Sequence, residues 1–377
     1  MQHQNEKPQS GHVPDGITHH PSSHGEHSND SKDKPDSSGH GHTGHTSTGG
    51  GHTTPPPTPG GHKPPVPAPK PHPVPTPTPS PTPVPVPASG TIPIFNFGTN
   101  GASLATNPNL AGTYLGYPWS LLEPSQGQFA WDIIDKDMQP WLATGKDIII
   151  RVSASGWASW GAHPNKSWTP SWVYGLGVKS VTESDGAIKP QYWNPAFLQA
   201  LSDFVTAFAA KYDGNPNIIS IEAGIGDGGE TKPDTRKSLT LSAWQNIGYS
   251  DPVWFDTIKH IVDLYKSAFQ HTPIAIMPDN SFLGKTAGLD EHAVVNYAVS
   301  KGCWLQHNGI VAGIKRDPTW TTPIIAEQRN KLANSGDTMA QDIQVAIDFG
   351  ASYFMGFEVD LQANLAVLAK YAASVQH

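Results

Sequence analysis

Aromatic residues are absent from the start of this 377-residue chain: all 12 Trp, 10 Tyr and 12 Phe lie from Phe95 onward. A stretch without them has too little apolar surface to offset the entropy of ordering it. Cysteine is scarce too. Cys303 stands alone, which excludes an intramolecular disulfide framework and a Cys-rich zinc site. No apolar run approaches the roughly 18 residues of a membrane span. Basic clusters are also missing. The net charge of −8 divides into −1 for residues 1–90 and −7 for the remainder, a poor match for nucleic acid or anionic lipid. The opening MQHQNEKPQSGHVPDG has no basic segment followed by an apolar one, so no signal peptide is visible.

What the first 90 residues do contain is 21 of the 37 prolines and 12 of the 18 histidines. Residues 1–62 form a polar tail rich in His, Gly, Ser and Thr, expected to be disordered. Residues 63–89, with KPPVPAPKPHPVPTPTPSPTPVPVPA, read as a Pro/Thr linker favouring polyproline II. Histidine spacings such as SHGEH and GHGHTGH can chelate Zn²⁺ or Ni²⁺, or they can simply keep a solvated tail polar. The tail is of the kind found on surface or secreted proteins, so a secreted or cell-surface location is expected.

From residue 90 to 377 short β-like runs alternate with helical ones. Eight runs qualify as strands: 92–98, 113–119, 147–153, 218–224, 273–279, 303–308, 323–328 and 352–358. Helical periodicity fills 131–144, 195–212, 252–269, 291–300, 338–349 and 361–374. Eight strands with helices between them in one domain of this size predict an α/β fold, a (β/α)8 TIM barrel. A doubly wound sheet would show a Gly-rich phosphate turn after its first strand. NFGTNGAS lacks the helix that such a turn opens.

In a barrel the chemistry collects at the C-terminal ends of the strands. Acidic residues fall there on the fourth strand (Glu222, Asp227 and Glu230), the fifth (Asp279), the seventh (Glu327) and the eighth (Glu358 and Asp360). Cleaving a glycosidic bond with retention needs two carboxyls about 5–5.5 Å apart, one as proton donor and one as nucleophile. Glu327 and a fourth-strand acid satisfy that pattern. Glu327 has an alternative reading, a loop carboxylate salt-bridged to Arg329. On the fourth strand, alternation turns Ser220, Glu222 and Gly224 inward and sets Ile219, Ile221 and Ile225 against the helices. Glu222 is then a polar core group or a deep substrate contact. Glu230 follows the glycine-rich GIGDGG and is the favoured acid/base, with Glu222 and Asp227 as alternatives.

The segment GTYLGYPWSLLEPSQGQFAWDIID has the pattern W-x-x-x-E-P-x-x-G-x-(F/Y)-x-W. It resembles the retaining (β/α)8 glycosidases related to β-galactosidase-like and cellulase-like enzymes. KDIIIRVSASG, TPSWV and YWNPAFLQALSDFVTAFAAKYDGNPNIISIEAGIGDGGE continue the likeness over about residues 110–230, and PIIAEQ does so more loosely. The resemblance implies an acid/base after the fourth strand and a nucleophile ending the seventh, mapping onto Glu230 and Glu327. Where that clan usually has Asn before its fourth-strand Glu, this chain has Gly229.

Eight tryptophans fall at strand ends or in following loops: Trp119, Trp157, Trp160, Trp168, Trp172, Trp193, Trp304 and Trp320. Indole faces stack on the apolar C–H face of pyranose rings, so Trp119, Trp157, Trp172 and Trp304 are candidate sugar platforms, with loop packing as the alternative. Trp131, Trp141, Trp244 and Trp254 lie in or beside helices and are expected in the core. Arg151, Glu222, Asp279, His307 and Glu358 complete the candidate substrate contacts, with Asn280, Gln306 and Asn308 beside them. No metal triad, nucleotide loop or Ser-His-Asp order emerges. A glycoside hydrolase acting as a monomer on a carbohydrate, without cofactor, is the expectation. A non-catalytic carbohydrate-binding barrel and a metal-binding surface protein are its rivals.

Overall fold

The computed structural model describes residues 90–98, 100–156, 166–234 and 239–375. The expected tail and linker lie outside them. Ten strands are present among the described residues: β1 (Ile94–Phe97), β2 (Gly112–Pro118), β3 (Asp147–Ser155), β4 (Ser180–Thr182), β5 (Ile188–Pro190), β6 (Ile218–Asp227), β7 (Ile274–Ile276), β8 (Trp304–His307), β9 (Ile324–Glu327) and β10 (Tyr353–Phe357). Eight of them close into a parallel barrel in the order β1-β2-β3-β6-β7-β8-β9-β10, with β10 paired back onto β1. The short antiparallel pair β4–β5 stands apart, in the long connection from β3 to β6.

The helices form where cap and stripe agree. In Pro195–Tyr212 the Asn194 side chain accepts from Ala196 N and Pro195 opens the first turn, where a missing N–H costs nothing. Phe197, Leu201, Phe204, Val205, Phe208 and Tyr212 line its buried face at helical spacing. Thr338 and Gln341 form a capping box on Met339–Phe349, and Gly350, at φ 79°, ends it. These helices pack their apolar stripes on the outer faces of the strands, forming the larger core, and Trp141, Trp244 and Trp254 are fully buried there.

The barrel lumen is a second, smaller core. Phe95, Tyr114, Ile149, Ile219, Ala275, Trp304, Ile325, Tyr353 and Met355 pack inside it. Two expectations are corrected here. Ile219 joins this luminal set because the β3–β6 register shifts between Ile148 and Ile149, opposite Ile218 and Ser220, which breaks the alternation at that point. Trp304 begins β8 and therefore sits at the N-terminal end of the barrel, stacked on Tyr353 with ring centroids 5.5 Å apart. It borders a cavity of about 330 Å³ with Ile218, Ile219 and Val375. As a floor residue it is at the end opposite to Glu327, which finishes β9.

Candidate active site

A polar layer lies above the luminal apolar one, toward the C-terminal ends of the strands. Arg151 on β3 and Glu222 on β6 are register partners, and Arg151 Nη1 donates to Glu222 Oε1 at 3.2 Å. The guanidinium also lies over the Tyr114 ring, 5.1 Å from its centroid. Burial works against the charge on Arg151, but Glu222, Tyr114 and Glu327 outweigh it and hold the group cationic. Arg151 and Glu222 are thus bonded to each other inside the barrel, as alternation places them, rather than standing open at its mouth.

Glu327 is the last residue of β9 and is buried. Its Oε2 accepts from Gln306 Nε2 at 2.9 Å. Arg329, the alternative partner, packs instead against Gly309. Burial pushes the Glu327 carboxyl up to about 8; the Arg151 charge opposes this, while Glu222 and Glu230 add to it.

Glu230 reaches the same place by a longer route. The paired strands β3 and β6 run past the rest of the barrel as far as Ser155 and Asp227. The chain then turns back through Gly228 and Gly229, both at positive φ (65° and 92°), a conformation open to glycine. Gly226 N donates to Glu230 O and Asp227 N to Lys232 O, so the hairpin returns Glu230 to the level of Gly226. There it forms a parallel bridge with Met277, just beyond β7. A Cβ on Gly229 would stand 2.5 Å from Arg151 Cδ. Glycine precedes the glutamate in this chain because the backbone lies directly against the Arg151 side chain.

The two carboxyls converge through their neighbours. Asn308, following β8, donates from Nδ2 to Glu230 Oε1 at 2.6 Å. Gln306, two residues earlier, donates to Glu327 and lies 3.9 Å from Met277 Sδ. Lys232 Nζ stands 2.9 Å from Glu230 Oε2 and also bonds Asp279. Burial raises Glu230 to about 7, against the Lys232 charge and with that of Asp279 adding. Asp279 itself is held below the usual carboxylate range, because Lys232 outweighs burial. Lys232 was not among the sequence candidates. A cation two residues beyond GGE was the available signal.

Other candidates are placed elsewhere. Trp119 is fully buried, bonds Glu123 Oε2 through Nε1 at 2.8 Å and packs on Phe197 and Phe204 in the helix-facing core. Half-buried Trp172 meets Trp119 edge-on and donates to Glu123 O. Trp119 has no face free for a sugar, because β2 ends at Pro118 and the chain turns into the helical layer from there. His307 follows inward-facing Gln306 and so faces outward, against Phe349 and Trp320; burial lowers its pKa. Trp168 and Trp193 are likewise engaged in packing. Trp157 and Trp160 lie outside the described residues. Glu358 begins the helix after β10 and accepts from Ser103 in the β1–β2 connection. Asp360 accepts from Gln328 Nε2 and Leu332 N.

Beside the site, carboxylate oxygens of buried Glu183, Asp227 and Asp234 lie within 4.8 Å of one another. A cation already occupies this group. Lys189, fully buried on β5, pairs with Glu183 at 3.0 Å and with Asp227, and donates to Gly156 O. Asp227 also accepts from Ser155 Oγ. The chemistry here is that of an internal ion cluster bracing the root of the Glu230 hairpin.

No family model matches the chain, and no curated protein does. Among solved structures it is similar to the catalytic domain of β-amylase from Paenibacillus polymyxa, with TM-score 0.54 and 10% identity over 76% of this chain and 96% of that one. It is also similar to β-galactosidase from the psychrophilic Marinomonas ef1 (TM-score 0.39, 11% identity, 60% of this chain and 42% of that one). A third is endo-glycoceramidase II from Rhodococcus sp. in a cellobiose-like imidazole complex (TM-score 0.42, 13% identity, 72% of this chain and 74% of that one). At 10% identity it is the fold alone that this chain shares with the β-amylase domain.

Proposed function

We propose that this chain is a glycoside hydrolase that cleaves O-glycosidic bonds of an oligo- or polysaccharide with retention. Glu327 would attack the anomeric carbon and Glu230 would protonate the leaving oxygen, then activate water. The observation that carries this reading is the convergence of two buried carboxyls, one from the hairpin after the fourth barrel strand and one from the end of the seventh, on one cluster formed by Met277, Gln306 and Asn308. Burial supplies the low-polarity surroundings in which a carboxyl keeps its proton near neutrality. Fold alone does not settle a substrate, so the site and not the barrel is the argument.

The test is a panel of chromogenic glycosides and polysaccharides, followed by NMR of the first-formed product. Retention of anomeric configuration supports the proposal. Inversion would reassign Glu327 as a base acting through water, and no turnover across the panel favours a binding barrel.

A pH profile follows from the same geometry. Retaining chemistry requires the pair to hold one proton. Below both values Glu327 is protonated and cannot attack; above both, Glu230 has no proton to give. With Glu230 raised to about 7 and Glu327 to about 8, the pair's single proton rests mainly on Glu327 and the reactive form is the minor of the two singly protonated ones; kcat/KM should still be bell-shaped with its maximum between those limits, and the limbs belong to the pair together. A maximum near pH 5 would contradict the burial argument.

A further inference from the structure

We propose that Lys232 is a positioning residue: anchored on Asp279, its ammonium holds the Glu230 carboxyl in place and governs when that carboxyl releases its proton. This rests on the reading of Glu230 as the proton donor. Glu230 sits in a hairpin rather than on a strand, so the barrel ladder does not fix its side chain. Two contacts do. Asn308 Nδ2 holds Oε1 at 2.6 Å and Lys232 Nζ faces Oε2 at 2.9 Å. Lys232 is in turn fixed, because it bonds Asp279, whose own N–H donates to Thr231 Oγ1 at 3.1 Å. Thr231 completes the brace by hydrogen bonding to Ser281 and, through its carbonyl, to Trp254 Nε1.

The charge balance makes Lys232 the counterweight. Glu230 shares the C-terminal end of the barrel with Asp279 beyond β7, Glu327 on β9 and Arg151 below Gly229. Glu291, on helix Glu291–Ser300, interacts with Asp279 and Lys232; His307 after Gln306 faces the helical layer; and Asp227, at the hairpin root, is engaged by Ser155 and Lys189. Arg151 is bonded to Glu222. Among the described residues Lys232 is therefore the cation in direct contact with Glu230. Its burial is incomplete, 18% of the side chain remaining exposed, against 5% for Glu230.

The experiment compares Lys232→Met and Lys232→Arg with the unaltered full chain. On a substrate with a poor leaving group, Lys232→Met should lower kcat/KM by roughly 10- to 100-fold. On a dinitrophenyl glycoside, whose departure needs no proton, the loss should stay within about threefold. The acid limb should move up most, since Glu230 is the lower of the pair and a nearby cation favours the ionised carboxyl, and Lys232→Arg should restore it. Equal losses on both substrates with an unmoved limb would overturn the proposal. A second readout needs no turnover: the Glu230 carboxyl, assigned with Glu230→Gln, is titrated by ¹³C NMR. A midpoint higher by about 1 unit in Lys232→Met upholds the assignment whether or not any glycoside is cleaved, and an unchanged midpoint overturns it.

Discussion

Replacing Glu327 by Gln should reduce kcat/KM on any cleaved glycoside by roughly 10,000-fold or more, equivalent to about 5.5 kcal/mol of transition-state stabilisation. The amide keeps the shape and can still meet Gln306, which donates to Oε2 at 2.9 Å, but it cannot form the glycosyl ester. Glu327→Ala leaves a space in which azide can attack from the same face, and a glycosyl azide of inverted configuration would identify the lost group as the nucleophile. Stability should move the opposite way. The folded-state value of Glu327 is raised from 4.5 to about 8. The stability it contributes is therefore fully present below about 4.5 and lost as pH rises through about 8. Glu327→Gln removes that loss, so the variant should be more stable than the parent at pH 8.5, on the order of 3 kcal/mol, and no more stable at pH 4. A thermal melt at the two pH values checks it. Activity retained within a few-fold, or a variant less stable at pH 8.5, would remove Glu327 from the centre of the site.

That Glu327 was legible in sequence at all follows from strand geometry. PIIAEQ is a buried run whose charged residue falls at its C-terminal end, and β9 ends at Glu327 in the structure. All eight barrel strands overlap their expected positions, since strands buried on both faces read as continuous apolar runs. What misled was rotation about the strand axis. His307 and Gln306 are neighbours in sequence and face opposite layers, and Trp304, two residues before Gln306, shares its direction but lies one layer deeper, at the floor. Proximity to a strand end is one-dimensional information; it gives neither parity nor height unless the register is known. Trp119 shows a second failure. Its indole is drawn into the helical core by Phe197 and Phe204, residues some 80 positions away whose packing no local pattern announces. Glu230 was legible for its glycines, but its lateness after the strand becomes intelligible only with the hairpin that brings it back beside Met277.

Lys189 lies in the long connection from β3 to β6, and its replacement should have the largest effect on folding. It is fully buried on β5, 3.0 Å from Glu183, in contact with Asp227 and donating to Gly156 O at 3.0 Å. Burial raises Glu183, and the Lys189 charge opposes that rise without cancelling it. Lys189→Met keeps the volume and removes the charge. Breaking a buried ion pair from one side costs about 3–5 kcal/mol, because the remaining charge stays desolvated, and for a domain of this size that is a fall in Tm of roughly 10 °C. The cost should shrink at acidic pH, where Glu183, raised by burial, takes up a proton, and should be partly recovered at pH 7 in Lys189→Met/Asp227→Asn. Activity should fall with stability even at temperatures where the variant is fully folded. Asp227 is the residue from which the Gly228–Gly229 hairpin departs, and its N–H bonds Lys232 O; loosening it moves both Glu230 and the cation that holds it. A Lys189→Met protein with unchanged Tm at pH 7 would show that the charge is compensated without Lys189, and one that is destabilised but fully active on folded protein would detach the cluster from the site.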